Sequence, residues 1–439
     1  MPDKTMIELA TWVMQSALKA GASQAAVDGY SSLDSEITVR QGAIEQLQQS
    51  QRRGLTLHVY TDHRYARHTT NDLAKKSLTP WIEQALAATR CLAPDPARSL
   101  PDTRYSGQAT SDLALADHQW QTLSPDQRKK LAHQIDHAAN SQTSQIITST
   151  GTFQDSASQR VRVDSNGLHA QSHATTFAMG SYITVRDDNG SRPADGFWAA
   201  SRQHASLPDP ADIGQEAARR ALGRIGQRKL PSGKYDMIVE NRCAWRLLSM
   251  LQGPMSGSAL QQKKSYLEGK VGQQIASETL TLLDNPLLPG ALGSRAFDGE
   301  GLAPVKRTMI EKGVLLNYYI SDYYGKKLTV EPTTGGPSNS VITPGEGTLA
   351  DLIGQVDKGL LVTGFLGGNF DTTTGDFSFG IVGELIEGGK LAGPVGEMNV
   401  SGNGQTFWQK LTACGGDVYT YSSNRAPSML FKDVSFSGT

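Results

Sequence analysis

Histidine is missing from the whole second half of this 439-residue sequence. All nine histidines lie at or before His204. Histidine supplies most neutral metal ligands and most general bases that work near pH 7. A site built from residues 205–439 alone would therefore lack both the usual zinc ligand and the usual proton shuttle.

Cysteine is also scarce. The three cysteines, Cys91, Cys243 and Cys414, are far apart and show no CxxC spacing. They provide neither a disulfide framework nor a zinc knuckle. Cys243 and Cys414 stand beside apolar or glycine residues, which predicts buried, unreactive thiols.

An excess of one charge is absent as well. The chain has 42 basic and 43 acidic residues, so no global field favours nucleic acid or an anionic membrane. The basic clusters are short and are interpreted as solvated surface. No apolar run approaches the roughly 18 residues of a membrane span. The N-terminus leads into an amphipathic segment unlike a secretory signal, so we expect a cytoplasmic protein.

Several catalytic and binding motifs are missing too. The sequence contains no phosphate loop, no GxSxG and no HExxH. His133 and His137 share one face of a predicted helix, but zinc needs further ligands and Asp136 points elsewhere. We interpret both histidines as exposed or capping residues.

Hydrophobic periodicity and turn signals do predict a fold. A capping box formed by Thr5 and Glu8 opens a first helix that ends at Gly21. Ser124 and Pro125 mark another helix start. The remaining strands of the first half are expected over 25–30, 36–40 and 54–61 and within 148–200, with turn signals at Ser31-Ser32 and Asp34-Ser35 and hairpin turns at Asn166-Gly167 and Asn189-Gly190. Asp72 is expected to cap a helix that extends to about residue 91, a connection follows over 92–118, and further helices are expected over 125–140 and 212–226.

A Leu-Pro-Ser-Gly sequence at 230–233 predicts a domain boundary, which gives domains 1–230 and 231–439. A strand over 235–240 and a helix over 242–251 follow, and one more helix is predicted near 348–358. The rest of the second domain reads as short strands, glycines and turns. Helices and strands in two segregated blocks favour an α+β fold with mixed, largely antiparallel sheets.

Several motifs, in order, resemble the TldD/PmbA family, whose members are named both as modulators of DNA gyrase and as metallopeptidases. The resemblance extends over nearly the whole chain. The matching stretches are VRQG at 39–42, RGLTL at 53–57, GSAL at 257–260, KSYL at 264–267, GQQI at 272–275, FDGEG at 297–301, EKGVL at 311–315 and TTGDFS at 373–378.

The resemblance implies two branches. The TldD-like branch resembles a zinc peptidase with HExxxH on a helix and a later cysteine. Counted from the shared KSYL stretch, HExxxH would fall near residues 248–253, and the cysteine near 423–426. Neither window contains a histidine, glutamate or cysteine. The chain is therefore similar to the PmbA (TldE) branch, and we expect no catalytic residue, no metal ligand and no cofactor on it.

Members of that branch resemble non-catalytic subunits. The resemblance implies pairing with a zinc-bearing TldD-like subunit, with itself, or with both, around a cavity where unfolded or modified peptides are cleaved or matured. A cavity wall can bind an extended peptide by β-augmentation, which needs backbone groups and no catalytic side chain. We predict a peptide-facing surface around the absent motif, formed by Gly253, Ser256, Gly257, Ser258 and Lys264.

Two alternatives stay open. The chain could be a regulatory protein that modulates DNA gyrase or a toxin–antitoxin system. It could also be an independently active peptidase with an unrecognised site.

Overall fold

This computed structural model describes residues 4–439. The first half builds a six-stranded antiparallel sheet in the order β3-β2-β1-β4-β5-β6. Its helices are α1 (Lys4–Lys19), α2 (Lys75–Arg90), α3 (Pro125–Asn140) and α4 (Pro210–Leu222). Its strands are β1 (Gln24–Arg40), β2 (Ala43–Thr61), β3 (Arg64–Thr70), β4 (Ile146–Asp164), β5 (His169–Val185) and β6 (Ala194–Ser201).

The four helices cover one face of this sheet. Apolar residues such as Val27, Leu55 and Val161 point to that face and are buried against the helices. Successive strand residues point to opposite faces, so the residues between them line a polar face on the other side. Part of that polar face meets the second half of the chain, where Arg162 donates to the Gly299 carbonyl at 3.0 Å.

The predicted turns at Ser31-Ser32 and Asp34-Ser35 are wrong. They lie inside β1, a single strand that extends from Gln24 to Arg40. Their side chains have partners across the sheet: the Ser156 hydroxyl donates to Asp34 at 2.8 Å, and the Ser35 hydroxyl donates to Asp155 at 2.7 Å. Polar residues that signal a turn are stable in a strand when a neighbouring strand satisfies them.

Most predicted helices are present, with shifted ends. Ser124 caps α3 in a capping box with Gln127, as predicted. By contrast, α1 already begins at Lys4, and Asp72 precedes α2 instead of capping it. The hairpin turns at Gly167 and Gly190 are confirmed, and both glycines have positive φ values, 102° and 84°.

The second half contains short helices and eleven strands among the described residues. The helices are α5 (Trp245–Gln252), α6 (Gly257–Gln261), α7 (Asp322–Leu328), α8 (Leu349–Gly354) and α9 (Gly404–Phe407). The strands are β7 (Gly233–Val239), β8 (Leu282–Asp284), β9 (Arg307–Glu311), β10 (Val314–Leu315), β11 (Ser340–Ile342), β12 (Lys358–Phe370), β13 (Asp376–Glu387), β14 (Lys390–Asn403), β15 (Leu411–Cys414), β16 (Asn424–Arg425) and β17 (Met429–Ser437).

The larger sheet of this half closes on itself. Its strand order is β14-β13-β12-β7-β17-β15, and an additional pairing joins β14 to β17. The closed sheet surrounds an aromatic core in which Phe407 stacks on Phe431 and packs against Trp408. A smaller five-stranded sheet, β10-β9-β8-β11-β16, lies beside it. The α+β fold class is confirmed.

The predicted connection at 92–118 forms no helix or strand before His118. It is nevertheless bound to the second half by backbone hydrogen bonds. Gly107 donates to Gly301 at 3.0 Å, Ala109 donates to Ala296 at 2.7 Å, and Ala303 donates to Tyr105 at 2.8 Å. We call residues 92–117 the strap, because they fasten the two halves together.

Buried ion pairs join the halves at another point. Glu240, at the end of β7, accepts hydrogen bonds from Arg220 of α4 and from Arg242. Arg242 also lies 3.4 Å from Asp195 of β6. The chain passes between the two sheets through residues 223–232, and a domain boundary near residue 230 stays a prediction. No helix in residues 4–439 combines the length and the apolar character needed to span a bilayer.

Candidate functional site

Helix α5 carries the window where the resemblance locates the metal motif. A short 3₁₀ turn, Asn241–Cys243, connects it to strand β7. Its buried face, which includes Leu247, Leu248 and Leu251, packs into the core of the second half. Near its start, the side chain of Trp245 is 49% exposed. The helix is therefore held firmly on one side and open to solvent at its N-terminal turn.

The fold brings the two predicted windows together. Gln252, the last residue of α5, donates from its side-chain nitrogen to the Asn424 side-chain oxygen at 3.2 Å. The same nitrogen donates to the Ser340 hydroxyl at 2.7 Å. Ser340 and Asn424 are neighbours because β11 pairs with β16. Residues from 248–253 and 423–426 thus meet, as the spacing of the resemblance requires.

The groups at this meeting point do not fit zinc. Zinc in proteins is bound by imidazole, thiolate or carboxylate groups. Here the contact is made by two neutral amides and a hydroxyl. Residues 4–439 contain no group of three or more histidine, cysteine, aspartate or glutamate side chains that could hold a metal ion.

The two cysteines of the second half are buried. Cys414 pairs with Met429 in the closed sheet, and burial raises the pKa of its thiol to about 12. Burial also raises the pKa of Cys243, whose sulfur donates to the carbonyls of Glu240 and Val362. Thiols held neutral in this way are poor nucleophiles and poor metal ligands.

The five residues predicted to face a peptide follow α5 directly, and three of them have structural duties. Ser256 caps helix α6 and accepts from the Ala259 N–H at 3.3 Å. A Cβ on Gly257 would lie 2.8 Å from Tyr324 Cβ, so only glycine fits there. Gly253 is the C-cap of α5. Ser258 is half-buried with its hydroxyl 3.3 Å from that of Ser256, and Lys264 is exposed.

An open strand edge lies beside the same helix. Strand β12 pairs with β7 only from Gly359 to Val362, so its later residues have no strand partner on that side in the described chain. The Arg246 guanidinium of α5 reaches this edge, 3.4 Å from the Gly367 carbonyl and 3.3 Å from the Gly368 carbonyl. Leu366, between the bulges of this strand, is 51% exposed. Backbone groups here can accept an added strand.

Sequence reasoning missed a second polar cluster, on the polar face of the first sheet. His58 Nε2 lies 2.8 Å from Asp28 Oδ2, and His58 Nδ1 lies 2.8 Å from the Tyr65 hydroxyl. Arg162 Nη1 donates to the same Asp28 oxygen at 2.8 Å. Although burial alone would raise it, the His58 hydrogen bond and the Arg162 charge hold the pKa of Asp28 below its usual value. These residues come from four strands, β1 to β4, and no local motif connects them.

The paired histidines singled out by spacing take no part in either cluster. Asp136, between His133 and His137, is buried and accepts from the Gly42 N–H at 2.7 Å and from the Ser149 hydroxyl. His133 is half-buried and His137 is exposed. The prediction that Asp136 points away from these histidines is confirmed.

Comparisons with known proteins agree along the whole chain. Family models match in order: PmbA/TldA metallopeptidase domain 1 over residues 25–89, the central domain over 119–225 and the C-terminal domain over 232–438. The metalloprotease PmbA of Escherichia coli O157:H7 is 28% identical over 407 residues, 92% of this chain and 89% of the relative.

Solved structures share the fold. A Bacteroides thetaiotaomicron protein, described as a candidate modulator of DNA gyrase, is 41% identical, covers 100% of both chains and has a TM-score of 0.97. TldE from Thermococcus kodakarensis has a TM-score of 0.87 at 22% identity, over 98% of this chain and 100% of that one. The latter likeness concerns the fold alone.

Proposed function

The chain belongs to the PmbA/TldD metallopeptidase family, and we propose that it acts there as a PmbA/TldE-like subunit that binds extended peptide without holding zinc. In this proposal a TldD-like partner supplies the metal and the catalytic base. The substrates are unfolded or modified peptides, handled in the cytoplasm. The subunit contributes peptide binding and assembly.

One observation carries the proposal: the hydrogen bond between Gln252 and Asn424. The N–H group of Gln252 points at the oxygen of Asn424, so a cation between them would meet a donor instead of a lone pair. Relatives are named metalloproteases. In this chain, neutral amide and hydroxyl groups stand where the resemblance locates the metal ligands. This supports a subunit that works next to the metal and does not bind it.

The open edge of β12 supports peptide binding. Arg246 of α5 contacts this edge, the neighbouring Trp245 is exposed, and residues 366–369 of the strand are exposed. An added strand would gain main-chain hydrogen bonds there, while the exposed Leu366 and Trp245 side chains would contact alternate residues of the peptide. Such binding tolerates many sequences, which suits unfolded substrates.

Metal analysis of the purified full chain is the direct test. We expect less than about a tenth of a zinc ion per chain and no peptide cleavage, since the donor groups of a zinc site are lacking. Co-expression with each TldD-like protein of the same genome should give a complex that cleaves unfolded peptide. Stoichiometric, chelator-sensitive zinc on the isolated chain would refute the proposal.

The role of the β12 edge can be tested in that complex. A Leu366→Pro substitution places a ring that obstructs strand addition in the exposed part of β12 and should raise KM for unfolded peptide severalfold. Leu391→Pro, at an exposed position of β14, is the control for the effect of proline in a strand. Equal effects on KM would argue against the edge as a peptide site.

A second candidate function is favoured by one observation. The relative with 41% identity is described as a candidate modulator of DNA gyrase. The net charge of −1 argues against direct contact with DNA, so such a role would act through protein contacts. Affinity purification that recovers gyrase and no TldD-like protein would favour this candidate.

A further inference from the structure

A polar cleft of about 320 Å³ lies between the two halves, away from α5. One wall is the polar face of the first sheet, with His58, Tyr65 and Arg162. The strap contributes Arg98, and the second half contributes Glu300 and Tyr323. We call it the interdomain cleft. Its volume is at the lower end of the range of about 300–1,000 Å³ for small-ligand pockets.

Arg98 is positioned to bind an oxyanion. Its guanidinium carbon lies 3.5 Å from the ring centre of Tyr323 and 4.7 Å from that of Tyr65. The aromatic rings fix the orientation of the guanidinium plane. In residues 4–439, no acceptor is hydrogen-bonded to the side-chain N–H groups of Arg98, and no carboxylate lies at ion-pair distance from them. A stacked guanidinium with a free N–H edge is pre-organised for a bidentate contact with a carboxylate or phosphate.

Two other charged residues that line the interdomain cleft, Arg162 and Asp322, already have ion-pair partners. Arg162 is only 2% exposed and donates to Asp28 at 2.8 Å and to the Gly299 carbonyl at 3.0 Å. Asp322 is paired with Lys326 at 2.5 Å. Arg67 lines the cleft, is exposed and has no ion-pair partner in the described chain. The interdomain cleft therefore offers two unpaired guanidinium groups to a ligand.

Glu300 makes the cleft selective. It belongs to the FDGEG stretch and accepts from the Asp322 N–H at 2.6 Å, without a cation at ion-pair distance in residues 4–439. A phosphate ion offers only its P–OH groups as donors, carries one to two negative charges, and would be repelled by the charged form of this carboxyl group. A peptide brings both an anionic terminus and N–H groups.

We propose that the interdomain cleft binds the C-terminal carboxylate of a short peptide, with the carboxylate on the N–H edge of Arg98 and the last peptide N–H on Glu300. Capture of a terminal carboxylate is a recurring mode of peptide recognition. The proposal rests on the proposed function only for the choice of a peptide as ligand. It requires neither zinc nor a partner, so its failure and that of the proposed function can be told apart.

Calorimetric titration of the purified full chain tests it with three probes: N-acetyl-alanyl-alanine, its C-terminal amide, and inorganic phosphate. We expect the free acid to bind and the amide to bind about tenfold or more weakly, because the amide loses the charge-assisted contact. Arg98→Gln should weaken binding of the acid by about tenfold. The control Arg186→Gln, at an exposed position outside the cleft, should change nothing.

Arg67→Gln is a second variant, because the Arg67 side chain is exposed and forms no hydrogen bond or ion pair in the described chain. It should weaken binding of the acid about threefold through the lost charge. Equal affinities for acid and amide, or absence of binding by the acid, would overturn the proposal. Tighter binding of phosphate than of the acid, or full affinity in both cleft variants, would overturn it as well.

Discussion

Glu300 is a carboxyl group placed among other acids. Asp298 and Asp322 lie nearby, and Arg162, whose positive charge acts to lower the pKa of Glu300, is already bound to Asp28. Burial is the largest cause that raises the pKa of Glu300, to about 7, and the neighbouring acids add to it. The folded chain therefore binds this proton more tightly than the unfolded chain does.

A substitution at Glu300 should change how the stability of the fold depends on pH. The pKa of Glu300 is about 7 in the folded chain, and its ordinary value is 4.5. Its contribution to the free energy of unfolding is therefore fully present at low pH and is lost as pH rises through 7. Glu300→Gln keeps an acceptor for the Asp322 N–H and removes the charge. We expect the variant to be about 2–3 kcal/mol more stable than the parent at pH 8, and equal near pH 4.

Urea unfolding across this pH range measures the difference. Glu346→Gln, at an exposed position, is the matched control and should follow the parent at every pH. If Glu300→Gln also followed the parent, the carboxyl group would be ionised freely in the folded chain.

At the scale of single residues, part of the α5 site could be foreseen. The absence of histidine after His204 and the two vacant windows are visible in the sequence. The contact between Gln252 and Ser340 is not visible in the sequence, because it depends on the pairing of β11 with β16. The Asp28–His58–Arg162 cluster was missed for the same reason: its members meet across strands.

Among the elements, the turn after α5 depends on one small residue. Gly257 packs against Tyr324 of α7, and its N–H donates to the Tyr319 carbonyl at 2.8 Å. Helix α6 and helix α7 therefore approach more closely than a side chain would allow.

Gly257→Ala should push these helices apart. A Cβ 2.8 Å from Tyr324 Cβ forces a shift of the backbone, which we expect to lower the free energy of unfolding by about 1–3 kcal/mol. Gly336→Ala is a control, since a Cβ there meets nothing within 4 Å. Thermal unfolding of both variants checks this, and equal melting temperatures would mean that the turn can relax.

An element could be predicted from the sequence when residues next to each other encode it. The helix start at Ser124-Pro125 and the hairpin at Gly167 are encoded by residues next to each other. The length of β1 is not, because Asp34 and Ser35 resemble turn residues until β4 supplies their partners. Short elements such as α7 gave no periodic signal at all.

For the molecule as a whole, the ion pairs around Glu240 fix one contact between the halves. Arg220 and Glu240 are both about nine-tenths buried, at 9% and 10% side-chain exposure. Two arginines therefore neutralise one carboxylate in a dry environment, and the charge of Glu240 raises the pKa of Arg220 despite its burial.

Arg220→Ala should destabilise the fold by about 2–4 kcal/mol, because Glu240 keeps only Arg242 as a buried partner. Arg219→Ala is the control. Its guanidinium is exposed and pairs with Glu216, so we expect a loss below about 1 kcal/mol. Denaturant unfolding compares the two, and similar losses would show that burial adds nothing to the Arg220 pair.

The strap gives a prediction about dynamics. The amides of Gly107, Ala109 and Ala303 form hydrogen bonds between the halves, although no helix or strand contains the first two. We expect slow hydrogen exchange at these three amides and fast exchange at Ser111, which is exposed. Fast exchange throughout the strap would mean that these backbone hydrogen bonds do not hold the halves together.

The closed sheet has a consequence for biosynthesis. Strand β7 begins the second half but needs β17 as a neighbour, and β17 also joins β14. The first sheet is complete once β6 has emerged from the ribosome, so it can form during translation. The closed sheet cannot be completed before β17 is made, and until then β7 and β14 expose unpaired edges to chaperones and proteases in the cell.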